Sequence, residues 1–343
     1  MRKLRVAVLM HEKLVPPAAA TDIPAARLEE CRTEFDVMRT LEQLGHEVRS
    51  IGLHDNLSHL RDVVTEWKPD IAFNLLNEFQ GILGYDHYVI GYLELMKLPY
   101  TGCNPRGMML SRDKVLSKQL LSFHHVPVPM FVRIERGRRY ALPRRLRYPL
   151  FVKSATEDAS LGIAQASIVD DEQKLRQRID FIHENVQTDA IVEEYIDGRE
   201  VYMGVLGNDR LTTLPPWEMN FGTMTQSTAG IATRKAKWDK AYQRRHGIDT
   251  KRADALPAGV EDQLAKLSRR AYRALHMSGL ARMDYRITAD GQVYLLEANS
   301  NPNLAADEDL ARSAANAGID YADLLQRILN LGMSYQAEWR HYE

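Results

Sequence analysis

Gly279-Leu280-Ala281-Arg282-Met283-Asp284-Tyr285-Arg286-Ile287-Thr288-Ala289-Asp290-Gly291-Gln292-Val293-Tyr294-Leu295-Leu296-Glu297-Ala298-Asn299 is the stretch from which the chain is best read. Asp290-Gly291 between two apolar-rich runs is a strong hairpin signal, expected as a two-residue type I′ turn. Ala289 then opposes Gln292, Asp284 faces Glu297 and Arg282 faces Asn299. One face carries Ala281, Met283, Tyr285, Ile287, Tyr294, Leu296 and Ala298 and should pack on a core. The other gathers Arg282, Asp284, Glu297 and Asn299. Opposed residues bring their Cβ atoms within about 4.5–5.5 Å, where like charges are unfavourable. Two carboxylates so placed call for a cation, and the Asn299 amide adds a third oxygen. Such a set suits Mg²⁺, which also takes phosphate oxygens. A solvated hairpin face with incidental acids is the plainer alternative. The polar run Asn299-Ser300-Asn301-Pro302-Asn303 that follows contributes little to packing.

Upstream, Leu4–Met10 reads as a buried strand, Leu28–Leu44 as a helix, Val48–Leu53 as a strand, His59–Trp67 as a helix and Asp70–Leu76 as a third strand. This alternation predicts an open parallel α/β sheet. Ligands of such sheets lie beyond the carboxyl ends of the strands, which brings Asn77 and Glu78 near a site. Leu98–Gly102 reads as a further short strand and Cys103–Gly107 as a turn. Asp113–Phe123 is expected as a helix that Lys114 begins. A β-rich unit follows, with Phe131–Ile134, Leu150–Lys153 and Ile191–Tyr195 as strands and Asp171–Glu184 as a helix.

With 343 residues, 45% of them hydrophobic, the chain should form two or three compact units. A formal net charge of −1 gives it no general attraction to nucleic acid or to an anionic membrane. Two separated cysteines, Cys31 and Cys103, fit a reduced, cytoplasmic setting. The apolar run Val6–Met10 is too short for a signal peptide or a membrane span.

Neither a P-loop nor a dinucleotide fingerprint occurs. Lys153, however, roots a small-residue loop running to Gly162, a device that can bring backbone N–H groups and a point charge to phosphates. Glu193-Glu194-Tyr195-Ile196 ends an apolar strand. Asn220–Gly230 is rich in Gly, Thr, Ser and Gln and reads as a mobile loop and candidate lid. Each of these has a bland reading as solvated surface.

Taken in order, these segments resemble the ATP-grasp superfamily, and most closely the D-alanine–D-alanine ligases. The resemblance rests on Arg282-Met283-Asp284 with Leu295-Leu296-Glu297-Ala298-Asn299 and Pro302; on Arg112-Asp113-Lys114 with Lys118 and Val126-Pro127-Val128-Pro129; on Pro149–Lys153 with Ser160-Leu161-Gly162; and on Glu193–Ile196 with Gly198 and Glu200. It implies a three-domain α/β (α+β) fold, with an N-terminal open parallel sheet over 1–104, a small ATP-grasp domain over 105–196 and a C-terminal ATP-grasp domain with the metal site over 197–343. It implies that Lys114, Lys153, Ser160 and Gly162 bind ATP phosphates, that Glu193, Glu194, Tyr195 and Ile196 bind adenine, and that Glu200 binds ribose. Asp284, Glu297 and Asn299 would hold two Mg²⁺, for which Mn²⁺ can substitute. Lys237 would approach the transferred phosphate and Arg282 the acyl phosphate. A homodimer is implied as well.

The substrate end departs from the family. Ala159-Ser160 stands where the family has a serine pair, Trp238 where its lid has tyrosine, and Asn77-Glu78 where it has His-Gly. Glu308, between Asp307 and Asp309, falls near a serine that helps hold the second alanine's carboxylate. Acids there should repel a carboxylate and suit a cation; alternatively they only favour a helix N-terminus. The N-terminal substrate glutamate has Glu29, Glu30 and Glu34 as candidates. The reading is therefore an ATP-dependent ligase of small-molecule carboxylates and amines, not of two D-alanines. A genuine D-alanine–D-alanine ligase and a non-catalytic nucleotide-binding regulator are the alternatives.

Overall fold

A computed structural model describes residues 2–17, 24–157, 163–223, 231, 233, 236 and 239–342. The N-terminal part runs β1 (Arg5–His11), α1 (Ala25–Glu30), α2 (Arg32–Gln43), β2 (Glu47–Leu53), α3 (Ser58–Glu66), β3 (Ile71–Asn74) and α4 (Asp86–Leu95). Its strands pair in parallel in the order β2-β1-β3, as the alternating pattern requires. The expected strand over Leu98–Gly102 reduces to a single parallel bridge between Ala72 and Tyr100. The single helix expected over Leu28–Leu44 is two helices meeting at Cys31.

A helix pair follows, α5 (Pro105–Arg112) and α6 (Lys114–Phe123). The turn expected over Cys103–Gly107 is in fact the start of α5. Asn104 caps it by accepting the Gly107 N–H, and Pro105 sits at the first helical position, where its missing N–H costs nothing. Asp113 ends α5 and caps α6 through the N–H groups of Val115 and Leu116. Then come β4 (Phe131–Ile134), β5 (Leu150–Ser154), β6 (Ile168–Val169), α7 (Glu172–Phe181) and β7 (Ala190–Glu194), which form an antiparallel sheet ordered β4-β7-β5-β6.

The remainder is β8 (Arg199–Leu206), β9 (Thr212–Thr213), β10 (Trp217–Asn220), α8 (Lys240–His246), β11 (Asp249–Arg252), α9 (Val260–Ala274), β12 (Leu280–Ile287), β13 (Val293–Asn299), α10 (Asp309–Asn316) and α11 (Tyr321–Ser334). A sheet ordered β11-β10-β8-β12-β13, with β9 on β8, carries the hairpin at its edge. Leu324, Leu325, Ile328 and Leu329 of α11 pack with Val6, Val8, Met10, Ile71 and Phe73 of the N-terminal sheet. The chain's end thus seals the core of its beginning. No helix among the described residues is long and apolar enough to cross a membrane.

The hairpin register differs from expectation in two places whose effects cancel. The loop has three residues, not two. The Gly291 N–H donates to Thr288 O at 2.9 Å and the Thr288 N–H to Gln292 O at 3.0 Å, with Gly291 at φ +83°. That is a β-turn followed by a left-handed residue, the usual three-residue hairpin loop. It shifts the lower strands by one, pairing Tyr285 with Leu295 and Arg286 with Tyr294. A β-bulge between Asp284 and Tyr285 then restores the register, so that Asp284 does face Glu297 and Arg282 faces Asn299. The core face of β13 is accordingly Val293, Leu295 and Ala298, not Tyr294 and Leu296. The bulge turns Leu296 and Glu297 alike toward the cavity, as an extra residue in one strand re-aims a side chain.

Candidate active site

A cavity of about 580 Å³ lies among all three sheets, lined by residues of the hairpin, the β5–β7 sheet, α6, α2 and the segment 296–312. Its floor at one end is cationic. Lys114 begins α6, and its ammonium lies 2.9 Å from Glu297 Oε1 and donates to Glu157 O at 2.8 Å. One turn on, Lys118 is 2% exposed and is not among the residues that line the cavity; it lies 3.5 Å from Glu193 Oε1 and donates to Leu296 O at 3.0 Å. Lys153, on β5, approaches the same Glu193 oxygen at 3.2 Å. Two buried ammoniums thus share one carboxylate that is itself 2% exposed. Burial pushes Lys118 down to about 8 despite the raising effect of Glu193. Such an excess of buried positive charge suits phosphate oxygens. Beside it Phe151, Ile163, Ile196, Met219 and Leu296 make apolar walls, fit for a purine ring.

Glu200 lines the same end and is buried. Arg286 donates to its Oε2 at 2.9 Å and the Tyr202 hydroxyl to its Oε1 at 2.8 Å. Arg282 forks onto Asp284, with Nε to Oδ1 at 2.8 Å and Nη2 to Oδ2 at 2.9 Å, and its guanidinium lies 4.7 Å from the Tyr202 ring centroid. Burial acts to lower the arginine, but Asp284 outweighs it and holds Arg282 above its ordinary value. Asn299 Oδ1 accepts the Asn301 N–H at 2.9 Å and keeps a second lone pair. Asp284, Glu297 and Asn299 are therefore three oxygen donors on one wall of the cavity, the donor chemistry of a hard divalent ion.

A further wall is built from α1, α2 and the segment 303–309. Thr33 Oγ1 donates to Asn303 Oδ1 at 2.8 Å, and the Ala306 N–H donates to Asp36 Oδ2 at 3.1 Å, so helix and segment are stitched together. Glu34 and Glu308 both line the cavity. Burial pushes the Glu34 carboxyl up from its ordinary 4.5 to about 7. Glu308 is also raised, by burial first and by Asp309 next.

Among the sequence candidates, Arg282, Asp284, Glu297, Asn299, Lys114, Lys153, Glu193, Glu194, Tyr195, Ile196, Glu200, Glu34, Asn77 and Glu308 all line this cavity. Glu78 lies outside its walls. His11 Nδ1 accepts the Lys13 N–H at 3.1 Å, which leaves His11 Nε2 to donate toward Glu78 Oε1 at 3.3 Å and His54 Nδ1 at 3.3 Å. Asn77 remains at the cavity, taking a hydrogen bond from Asn301 Nδ2 at 2.8 Å. Ser160, Gly162, Lys237, Trp238 and most of the expected lid, 224–230, fall outside the described residues. Sequence reasoning assigned no role to Lys118, Arg286 or Tyr202. Lys118 had a signal, its spacing of four from Lys114 on one helix face.

The sequence profile described as "D-ala D-ala ligase C-terminus" matches residues 120–330. Uncharacterized protein y4sG of Sinorhizobium fredii is 35% identical over 311 residues, covering 88% of this chain and 87% of that protein. The D-alanine–D-alanine ligase of Desulforudis audaxviator is 30% identical over 313 residues, covering 90% and 95% respectively. Among solved structures, the D-alanine–D-alanine ligase of Bacillus anthracis complexed with ATP superposes with a TM-score of 0.73 at 22% identity, covering 99% of each chain. The VanG D-Ala:D-Ser ligase of Enterococcus faecalis superposes with a TM-score of 0.72 at 21% identity, covering 96% of this chain and all of that one. The chain belongs to the D-alanine–D-alanine ligase family, with its three-domain ATP-grasp fold, and is an ATP-dependent ligase that forms C–N bonds.

Proposed function

We propose that the chain joins a small carboxylate to a small amine at the expense of ATP, with substrates other than two D-alanines. The observation that carries this is one cavity with two chemically contrasting parts: a lysine cradle with an arginine and three metal-type oxygen donors, and a wall of acids. A carboxylate oxygen attacks the γ-phosphorus and ADP leaves. The amine nitrogen then attacks the acyl carbon, phosphate departs with that oxygen, and the amine proton passes to phosphate or solvent.

Lys114 and Lys153 hold the phosphates, with Glu193 fixing Lys153 and the buried Lys118 adding positive charge beside them. The backbone and side chains of Glu194, Tyr195 and Ile196 edge the base, and Glu200, oriented by Arg286 and Tyr202, takes the ribose hydroxyls. Asp284, Glu297 and Asn299 would hold Mg²⁺, which would supply charge neutralisation during phosphoryl transfer. Arg282 points its fixed charge at the oxyanion, a contribution of about 3–4 kcal/mol when one such donor is lost. The divisions 1–104, 105–196 and 197–343 belong to this proposal; each of the three sheets lies within one of them. So do a homodimer and a cytoplasmic setting.

The test is incubation with ATP, Mg²⁺ and a panel of amino acids and amines, following ADP release and product mass. Efficient D-alanyl-D-alanine synthesis would sink the substrate part and restore the plain D-alanine–D-alanine reading, which the Desulforudis relative favours. ATP binding with no ADP release from any pair would favour a regulatory protein.

A further inference from the structure

Glu34 stands apart among the acids of the described residues. It lies on the inward face of α2 with Cys31, Val37 and Leu41, and is 5% exposed while still lining the cavity. Its carboxyl has no ion pair and no side-chain hydrogen bond among the described residues; its own backbone N–H gives it one hydrogen bond and Arg27 acts on it only through space, and neither offsets the burial. Two cations of this wall are committed to its outer acids. Arg27 pairs with Glu30 at 3.1 Å and Arg32 with Asp307 at 3.5 Å. Glu308 feels Lys240 and Arg282 without an ion pair to either among the described residues, and is raised all the same. A buried carboxyl that faces a cavity with no counter-charge is costly unless something fills the gap. Strong displacement of such a group from its ordinary range marks sites rather than packing. In the same cavity Leu14, Leu75 and Leu304 present apolar surface.

We propose that this wall binds a cationic group on an alkyl stem, an alkylammonium or guanidinium, with Glu34 as its buried counter-ion and Glu308 as a second acid. The leucines take the stem. Calling the bound molecule a substrate rests on the ligase reading; the cation site itself does not. It places the charge of one substrate remote from its reacting atoms and excludes a carboxylate from the same position.

The experiment uses the full chain with Mg²⁺ and a non-hydrolysable ATP analogue, and measures binding of lysine, ornithine, agmatine and 1,4-diaminobutane by calorimetry. Norleucine serves as the isostere of lysine without its terminal charge. Lysine is expected to bind at least about tenfold more tightly than norleucine. Glu34→Gln should erase that preference and leave affinity for the ATP analogue unchanged, with thermal unfolding confirming that the variant is folded. Glu308→Gln should reduce the preference without erasing it. Equal binding of lysine and norleucine, failure of every cation to bind, or a preference that survives both substitutions would overturn the site. ADP release is scored in parallel. A cation preference without ADP release from any substrate pair would defeat the ligase reading and leave the site standing. Turnover of neutral amino acids without a cation preference would do the reverse.

Discussion

The two ends of the cavity treat buried charge in opposite ways. At the nucleotide end four acids each have a cation beside them: Glu193 has Lys118 and Lys153, Glu297 has Lys114, Asp284 has Arg282 and Glu200 has Arg286. At the other end Glu34 is as deeply buried and has none among the described residues. Paired charges of this kind rarely add net stability, because desolvation offsets attraction. They fix donor and acceptor positions before a ligand arrives, and preorganisation of that sort lowers the cost of binding and of transition-state stabilisation. An unpaired buried carboxyl fixes nothing until its counter-charge comes from outside. The first end is a finished tool, the second a receptor.

The largest effect expected is at the Arg282–Asp284 fork. Arg282→Ala removes the oxyanion donor and the fork on Asp284, and kcat should fall by about 10²–10³-fold, the range for one lost donor of this type. Arg282→Lys keeps a charge but loses the fork, and should recover only part. Chelating the divalent ion should abolish ADP release by wild type. If Arg282→Ala raised KM alone with kcat intact, the arginine would be a binding group and not an oxyanion donor.

Next in size is the response of Glu34 to pH. Its folded value is raised, from 4.5 to about 7. Its contribution to stability is therefore fully present below about 4.5 and is lost as pH rises through about 7. A shift of this size corresponds to about 3 kcal/mol at about 1.4 kcal/mol per pKa unit. Glu34→Gln has nothing to ionise. The variant should match wild type near pH 4.5 and be more stable, by up to that amount, at pH 8. Thermal unfolding of the ligand-free protein across this range reads the difference. Parallel curves would mean that Glu34 is already compensated and that the contrast between the two ends is false.

How far the sequence carried this picture depends on what kind of contact was at stake. Local alternation fixed the parallel sheet, and the opposed pairs of the hairpin were legible because strand register is nearly arithmetic. Yet the count arrived there through two compensating departures. The three-residue loop and the bulge at Leu296 each move the register by one, and neither has a cue stronger than Asp-Gly itself. Lys118 and Lys153 converging on Glu193 was not legible, because α6, β5 and β7 meet only in three dimensions. Glu34 was one of three glutamates at one helix end. Nothing in its neighbours says that the helix breaks at Cys31 and turns this one inward, since apolar periodicity is blind to a carboxyl occupying a core-facing position.

A smaller effect belongs to Lys118. Burial holds it near 8, so above that pH the phosphate cradle loses a charge. For wild type, kcat/KM for ATP should fall above pH 8, approaching tenfold per pH unit. Lys118→Met should start about tenfold or more lower at pH 7, the loss of a charged hydrogen bond, and show no further step near pH 8. Because phosphate itself would raise the ammonium's affinity for its proton, the step belongs to the free enzyme and should be weaker in kcat. A wild-type profile flat to pH 9.5 would show that Glu193 fully compensates this lysine.

The smallest effect tests redundancy at the paired end. The Tyr202 hydroxyl gives Glu200 one hydrogen bond, and Arg286 gives it another on the second oxygen. Tyr202→Phe keeps the ring beneath Arg282 and leaves Glu200 its ion pair. The loss should be that of one hydrogen bond, about 0.5–1.5 kcal/mol, appearing as a few-fold rise in KM for ATP with kcat little changed. It should not depend on pH between 5 and 8, since no titrating group loses its only partner. The Glu34→Gln curve, by contrast, should bend through that whole interval. If instead Tyr202→Phe were as costly as Arg282→Ala, the paired end would not be a set of overlapping supports. Its charges would hang on a single hydroxyl, and the distinction between the two walls would lie in geometry and not in charge compensation.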